Sequence, residues 1–130
     1  MKISPARKSA FEALLKIEKE KAFSSILLPQ YEESLSEKDA SLCHELTLGV
    51  LRNKLYIDRS IESFTKKAVR KLDIEVLVAL RLGVYQLQFL NKIPAYSAIN
   101  ESVNLTKFAR KRSASGLVNA VLRRAAKGKV

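Results

Sequence analysis

The chain has 130 residues, 47% of them apolar, and a formal charge of +11 at pH 7. That length and apolar share suit one domain around one core. A single cysteine excludes an internal disulfide, and one cysteine with one histidine cannot make a zinc site. Four glycines and three prolines are too few for many short strands and tight turns, so the expected class is all-α.

The opening Met-Lys-Ile-Ser-Pro has no apolar stretch of the kind a signal peptide needs. Ser4-Pro5 starts a helix, because Ser can cap it and Pro at the first helical position loses no hydrogen bond. Ala6, Ala10, Leu14 and Ile17 form its apolar stripe, with Lys2, Arg7 and Lys8 expected to face solvent. A shorter helix is expected over 26–33, its start limited by Pro29. Ser36-Glu-Lys-Asp39 has the spacing of a capping box and opens a third helix, carrying Ala40, Cys43, Leu46, Thr47, Val50 and Leu51 inward. The pattern continues through Tyr56, Ile57, Ile61 and Phe64 after a bend near Asn53. Adjacent Cys43 and His44 point about 100° apart on a helix, so they make no nucleophile–base pair, and Cys43 reads as core. Lys66, Lys67, Arg70 and Lys71 form a basic connector.

Residues 73–91 are apolar on nearly every side and must be surrounded. Arg81, Gln86 and Gln88 interrupt the run before the roughly 18 apolar residues of a membrane span. The segment reads as the buried axial helix of a bundle, capped by Asp73 and ended by Pro94. Gly83 and Gly49 are expected at close helix approaches. Arg81 reads either as an anion contact or, the favoured reading, as a buried charge paired with a carboxylate such as Glu45.

After Pro94 a helix turns Ala98, Ile99, Ser102, Val103, Leu105 and Ala109 inward, and Lys107, Arg110, Lys111 and Arg112 follow at its end. Ser113-Ala-Ser-Gly116 breaks the pattern before a last helix bearing Arg123, Arg124 and Lys127 on its outer side. The result is a bundle of about seven helices over 1–126, with 127–130 as the start of a linker. Asn100-Glu-Ser and Asn104-Leu-Thr match the glycosylation pattern but lie mid-helix in a protein expected to be cytoplasmic.

Charge is divided unevenly. Residues 1–64 carry ten cations and ten carboxylates, whereas 65–130 carry fourteen against three, so the second half holds the whole excess. No acidic residue follows Glu101. Such asymmetry concerns partners rather than fold, and it points to a polyanion held on one outer surface of the later helices. A DNA-reading helix-turn-helix fits less well, because Leu117-Val118 opens the second helix with packing residues.

Three stretches carry a family resemblance: Leu80-Arg-Leu-Gly-Val-Tyr-Gln-Leu87, Ile93-Pro-Ala-Tyr-Ser-Ala-Ile-Asn-Glu-Ser-Val103 and Gly116-Leu-Val-Asn-Ala-Val-Leu-Arg-Arg124. With Pro5-Ala-Arg7, Ala10 and Leu14 they resemble the NusB fold from about Ser4 to Arg124. Two kinds of protein share it: the transcription antitermination factor NusB, which binds RNA together with a ribosomal protein, and the N-terminal domain of RsmB-type methyltransferases. The latter make 5-methylcytosine in small-subunit ribosomal RNA, and the three stretches are more similar to theirs. Antitermination factors usually place an acidic residue where Arg123 stands.

The resemblance implies an RNA-binding domain that positions ribosomal RNA for a catalytic domain lying beyond Val130 in cis, with S-adenosylmethionine bound there. The alternative is a stand-alone antitermination adaptor with a ribosomal-protein partner. Catalytic groups are not expected in 1–130: such enzymes use a glycine-rich strand–helix turn and two cysteines, one after a proline, whereas Cys43 follows Leu42 and has no second cysteine. The expected phosphate contacts are Lys107, Arg110, Lys111, Arg112, Arg123, Arg124 and Lys127, to which the resemblance adds Lys2, Arg7 and Lys8. Phe108 is expected at a core edge, and Asn100, Glu101 and Asn119 in structural roles.

Overall fold

A computed structural model describes residues 2–128. Seven helices follow one another: α1 (Pro5–Glu20), α2 (Ser24–Glu32), α3 (Glu37–Arg52), α4 (Lys54–Thr65), α5 (Ile74–Phe89), α6 (Ala95–Phe108) and α7 (Ser115–Lys127). Two 3-10 turns, Val69–Lys71 and Arg112–Ala114, precede α5 and α7. Among the described residues there is no strand, and no helix is long and apolar enough to cross a membrane.

Local chemistry sets most boundaries. The Ser36 hydroxyl accepts the Asp39 N–H at 3.1 Å, closing the first turn of α3. Asn53 donates its side-chain amide to the Gly49 carbonyl at 2.8 Å and separates α3 from α4, the expected bend. Pro29 does not limit the start of α2; it sits inside that helix, and the backbone bond it forfeits falls at the exposed Ser25. Asp73 precedes α5 without capping it through its side chain, and its carboxylate meets Lys111 instead. Helix α7 begins at Ser115 and takes in both Gly116 and Lys127. Lys127 is therefore helical rather than linker, and Lys129 and Val130 of the expected linker lie outside the described residues.

Helix α5 is the axis. Every residue from Val76 to Leu87 is buried, and α1, α3, α4, α6 and α7 all pack on it. Two glycines allow that crowding. A Cβ on Gly83 would lie 2.6 Å from Leu122 Cδ1 and 2.9 Å from Ser102 Oγ, and one on Gly49 would collide with the Tyr85 ring. Tyr56, expected inward, is 56% exposed and instead meets Phe89 edge-on at 5.8 Å.

Arg81, 5% exposed in the middle of α5, is paired as expected, but not with Glu45. Its guanidinium donates to both Asp58 oxygens at 2.8 and 2.9 Å and to Glu18 at 3.1 Å, joining α5 to α4 and α1. Lys54 completes the group, 2.7 Å from the same Glu18 oxygen. Burial raises the Glu18 carboxyl, yet the Lys54 hydrogen bond and the charges of Arg81, Lys54 and Lys21 outweigh it and hold the group below its ordinary 4.5. Glu75 shifts the same way, chiefly through its hydrogen bond to Lys19.

Two outcomes follow. Gly83→Ala should destabilise by about 1–3 kcal/mol through overpacking, which exceeds the ~1 kcal/mol of helix propensity gained. Gly116→Ala, where an added Cβ meets nothing within 4 Å, should be neutral or stabilising; urea titrations compare the two. A carboxyl lowered by folding contributes stability above its unfolded pKa and loses that contribution as pH falls through the folded one. Denaturation midpoints should therefore drop below about pH 4.5, the ordinary value for Glu18, and Glu18→Gln should be less stable at pH 7 with a shallower acid limb.

Candidate functional site

The N-terminal cations meet the end of α6. Asn104 Nδ2 donates to the Lys2 carbonyl at 2.7 Å, and the Ser4 N–H donates to Glu101 Oε1 at 2.7 Å, so the entry to α1 is tied down along α6. One turn further, Lys8 Nζ lies 4.8 Å from the centre of the Phe108 ring. That ring packs edge-on against Phe11 at 6.5 Å, a core-edge position covered by a cation. Lys107, Arg110, Lys111 and Arg112 surround Phe108 in sequence, with Arg110 in the left-handed backbone region at φ 62°. The result is a crest of Lys2, Lys8, Lys107, Arg110, Lys111 and Arg112.

Arg7 does not belong to it. Expected at the surface, it is 7% exposed. Its Nη1 donates to Glu101 Oε2 at 3.0 Å and its Nε to Gln86 Oε1 at 2.7 Å, so it bonds α1 to both α6 and α5. The position is just inside the first turn, on the side facing α6, and the only acidic residue of α6 neutralises it there. Glu101 thus has the structural role expected of it.

The cations of α7 also divide. Adjacent residues on a helix point about 100° apart. Arg123 lies along its own helix, donating to Asn119 Oδ1 at 3.3 Å. Arg124 reaches the other way and donates to the Phe64 carbonyl at the end of α4, at 2.9 Å. Helix α4 packs on α3, α5 and α7, whereas the first turns of α1 pack on α6. Contacts thus fix cations at two places, the α1–α6 crest and the α4–α7 junction, and α7 packs on α6 as well as on α4. Lys127 is exposed on the last turn of α7. Lys66 and Lys67 stand beside Phe64 and line a shallow recess of about 400 Å³ with Glu62 and Ala68; in the sequence they had read only as connector.

Cys43 and the candidate metal ligands take no part in this cationic region. Cys43 is fully buried, and burial pushes its thiol up to about 11 despite a hydrogen bond to Thr47, so it is no nucleophile at neutral pH. Among the described residues there is no cluster of three metal-ligating side chains. S-adenosylmethionine does not fit either: Gly49 and Gly83 are closed by Tyr85 and Leu122 rather than open to a ligand, and the chain has no strand–helix turn among the described residues. Leu117 is half-buried and Val118 fully buried, so the start of α7 presents packing residues rather than a reading face.

The pattern of the NusB family matches residues 4–127. The chain is 38% identical over 125 residues to the probable ribosomal RNA small subunit methyltransferase B of Bacillus subtilis (strain 168), an alignment covering 95% of this chain and 28% of that protein. Among solved structures it is similar to T. maritima NusB, with a TM-score of 0.87, 25% identity and coverage of 99% and 94% of the two chains. It is also similar to a chain in the crystal structure of antitermination factors NusB and NusE in complex with dsRNA, with a TM-score of 0.86, 25% identity and coverage of 95% and 94%.

The contrast between Arg7 and Lys8 can be measured without any ligand. Arg7→Ala leaves Glu101 and Gln86 without their partner in a buried place and should cost about 2–4 kcal/mol. Lys8→Ala removes an exposed cation and should change stability by no more than about 1 kcal/mol. Thermal melts of the two variants compare them directly.

Proposed function

The chain belongs to the NusB family, and on that footing we propose that it binds RNA through the α1–α6 crest, as the N-terminal domain of a small-subunit ribosomal RNA 5-methylcytosine methyltransferase. The observation that carries the reading is the meeting of Lys2 and Lys8 with the cluster that ends α6, in a region whose one α6 carboxylate, Glu101, is already engaged by Arg7. Lysine and arginine side chains gathered in excess of carboxylates attract phosphates whatever the base sequence, and folded RNA is then recognised largely by shape. Arg123, exposed on the outer side of α7, is assigned to the same contact set. Arg7 supports the crest from beneath and is left out of it.

The relative's name supports the substrate class. The chain spans 28% of that relative's length. The transfer of a methyl group and the binding of S-adenosylmethionine are therefore assigned to the portion that lies outside the match. The second reading, a stand-alone adaptor that joins RNA to a ribosomal protein, draws on the likeness to NusB in its complex with NusE and dsRNA. The reading frame after Val130 separates the two. A continuing segment with a glycine-rich turn and a Pro-Cys pair supports the methyltransferase, and an immediate stop codon supports the adaptor.

Binding of a small-subunit ribosomal RNA hairpin, measured at several salt concentrations, tests the shared core of both readings. About five phosphate contacts should give a log–log slope near −4. Lys8→Glu with Lys107→Glu should weaken binding at every salt concentration and make the slope shallower by about 2. A slope near zero in the unmodified chain, or one that this double variant leaves unchanged, overturns the proposal.

A further inference from the structure

Two six-residue stretches, 66–71 and 107–112, each carry four cations, and together they hold eight of the 24 in the chain. Only the second takes part in the crest. The first connects α4 to α5, and its form parallels the other. Each stretch contains a cation in the left-handed backbone region, Lys66 at φ 60° and Arg110 at φ 62°. That region costs a side chain of this kind roughly 1–2 kcal/mol, and glycine is the inexpensive occupant. None of the described glycines has a positive φ. Cations stand where the backbone alone would favour glycine.

The two stretches are physically joined. The 3-10 turn Val69–Lys71 leads within two residues to Asp73, and Asp73 Oδ2 lies 3.3 Å from Lys111 Nζ at the end of α6. In the other direction, Lys66 and Lys67 follow Phe64, whose carbonyl receives the Arg124 guanidinium. Contacts thus tie Lys8 to Phe108, Lys111 to the residue two after Lys71, and Arg124 to the residue two before Lys66. Lys66, Lys67, Arg70, Lys71 and Arg124 are all exposed.

Two of the three carboxylates along this line are paired with cations. The third, Glu62, accepts the Val69 N–H at 2.9 Å, which holds the turn in place but leaves its charge beside Lys66 and Lys67. Asp73 faces Lys111, and Glu75 pairs with Lys19 at 2.8 Å. The helix ends themselves favour cations, since α4 and α6 direct their negative dipole ends here. That accounts for Lys107 in the last turn of α6 and for Lys66 at the C-cap of α4; it does not account for Arg70 and Lys71, which lie beyond α4 and before α5.

We propose that the phosphate path continues past the α1–α6 crest, crosses the start of α5 over Arg70 and Lys71, and ends at Lys66 and Lys67, beside the Arg124 guanidinium held on the Phe64 carbonyl. The partner is the phosphodiester backbone of a folded RNA, which lies along one belt rather than on one face. This inference rests on the RNA-binding reading above and adds a second locus to it. Arg124 is the anchor of that locus: the Phe64 carbonyl fixes its guanidinium and leaves further N–H groups for a phosphate.

The test uses the whole 130-residue chain and the same small-subunit ribosomal RNA hairpin, extended at both ends by single-stranded flanks. Lys66→Gln, Lys67→Gln and Arg70→Gln together should leave the melting temperature unchanged and make the log–log salt slope shallower by about 2–3. Lys66→Gly is the folding control. It relieves the left-handed backbone, so its melting temperature should be equal or higher, yet it should still lose about one unit of slope. The belt is overturned if the triple variant binds with the unmodified slope while Lys8→Glu with Lys107→Glu weakens binding, because the RNA then stays on the crest. If neither set of substitutions alters binding, the RNA-binding reading itself fails, and the belt with it.

Discussion

A helix buried on every side can carry polar side chains only if each is answered from a neighbour. Helix α5 carries two such side chains in its buried stretch, Arg81 and Gln86. Arg81 draws Asp58 from α4 and Glu18 from α1, and Gln86 holds Arg7, which in turn holds Glu101 of α6. Three neighbouring helices are thereby fixed around the axis by groups that cannot be left alone. An apolar replacement of the whole set could be as stable, but the loss of one partner strands a charge in the interior. The polar insertions therefore act on register and orientation more than on total stability.

That internal demand shapes the exterior. The second half of the chain contains only three carboxylates, and all three are engaged: Glu101 by Arg7, Glu75 by Lys19 and Asp73 by Lys111. The first half supplies Glu18 and Asp58 to Arg81. Core and surface thus draw on the same small stock of acids. With those acids engaged, the cations of 66–71, 107–112 and α7 keep a net positive field that water and salt alone screen. The exposed Lys111–Asp73 contact hardly offsets it, since surface pairs of this kind contribute little.

What the sequence disclosed follows from how local each cause is. The Ser36 cap, the Asn53 bend and the Pro94 boundary depend on a few neighbouring residues, and all three stand where the residues placed them. The small-residue contacts at Gly49 and Gly83 were readable because a glycine inside an apolar helix has few other uses. The partner of Arg81 was not readable: Glu45 and Asp58 are both carboxylates on helices near α5, and only the three-dimensional packing chooses between them. Arg7 misled for the same reason, since its acid lies 94 residues away. Tyr56 fits the helical period and still faces out, because a helix that crosses only part of a bundle buries only part of its stripe. The placing of the cations was not readable either, because one net charge does not say in how many directions it points.

A positive belt confers affinity and no choice of base. Phosphate contacts are sequence-independent, so they position an RNA without selecting it. The aromatic side chain set among the crest cations, Phe108, meets Phe11 edge-on and carries the Lys8 ammonium over its ring, so a base would have to displace that lysine to stack on the same face. Selection must then come from the shape of the RNA and from how far its phosphates can follow the line of cations. Such a module contributes most when tethered, because holding an RNA near a second domain raises the local concentration of substrate without any new contact there. A bundle whose two buried cations, Arg7 and Arg81, are answered by carboxylates and whose remaining cations face out is well matched to that task. The core pairs that hold Arg7 and Arg81 tie α1, α4 and α6 to the axis, and so fix the backbone from which the outer cations project.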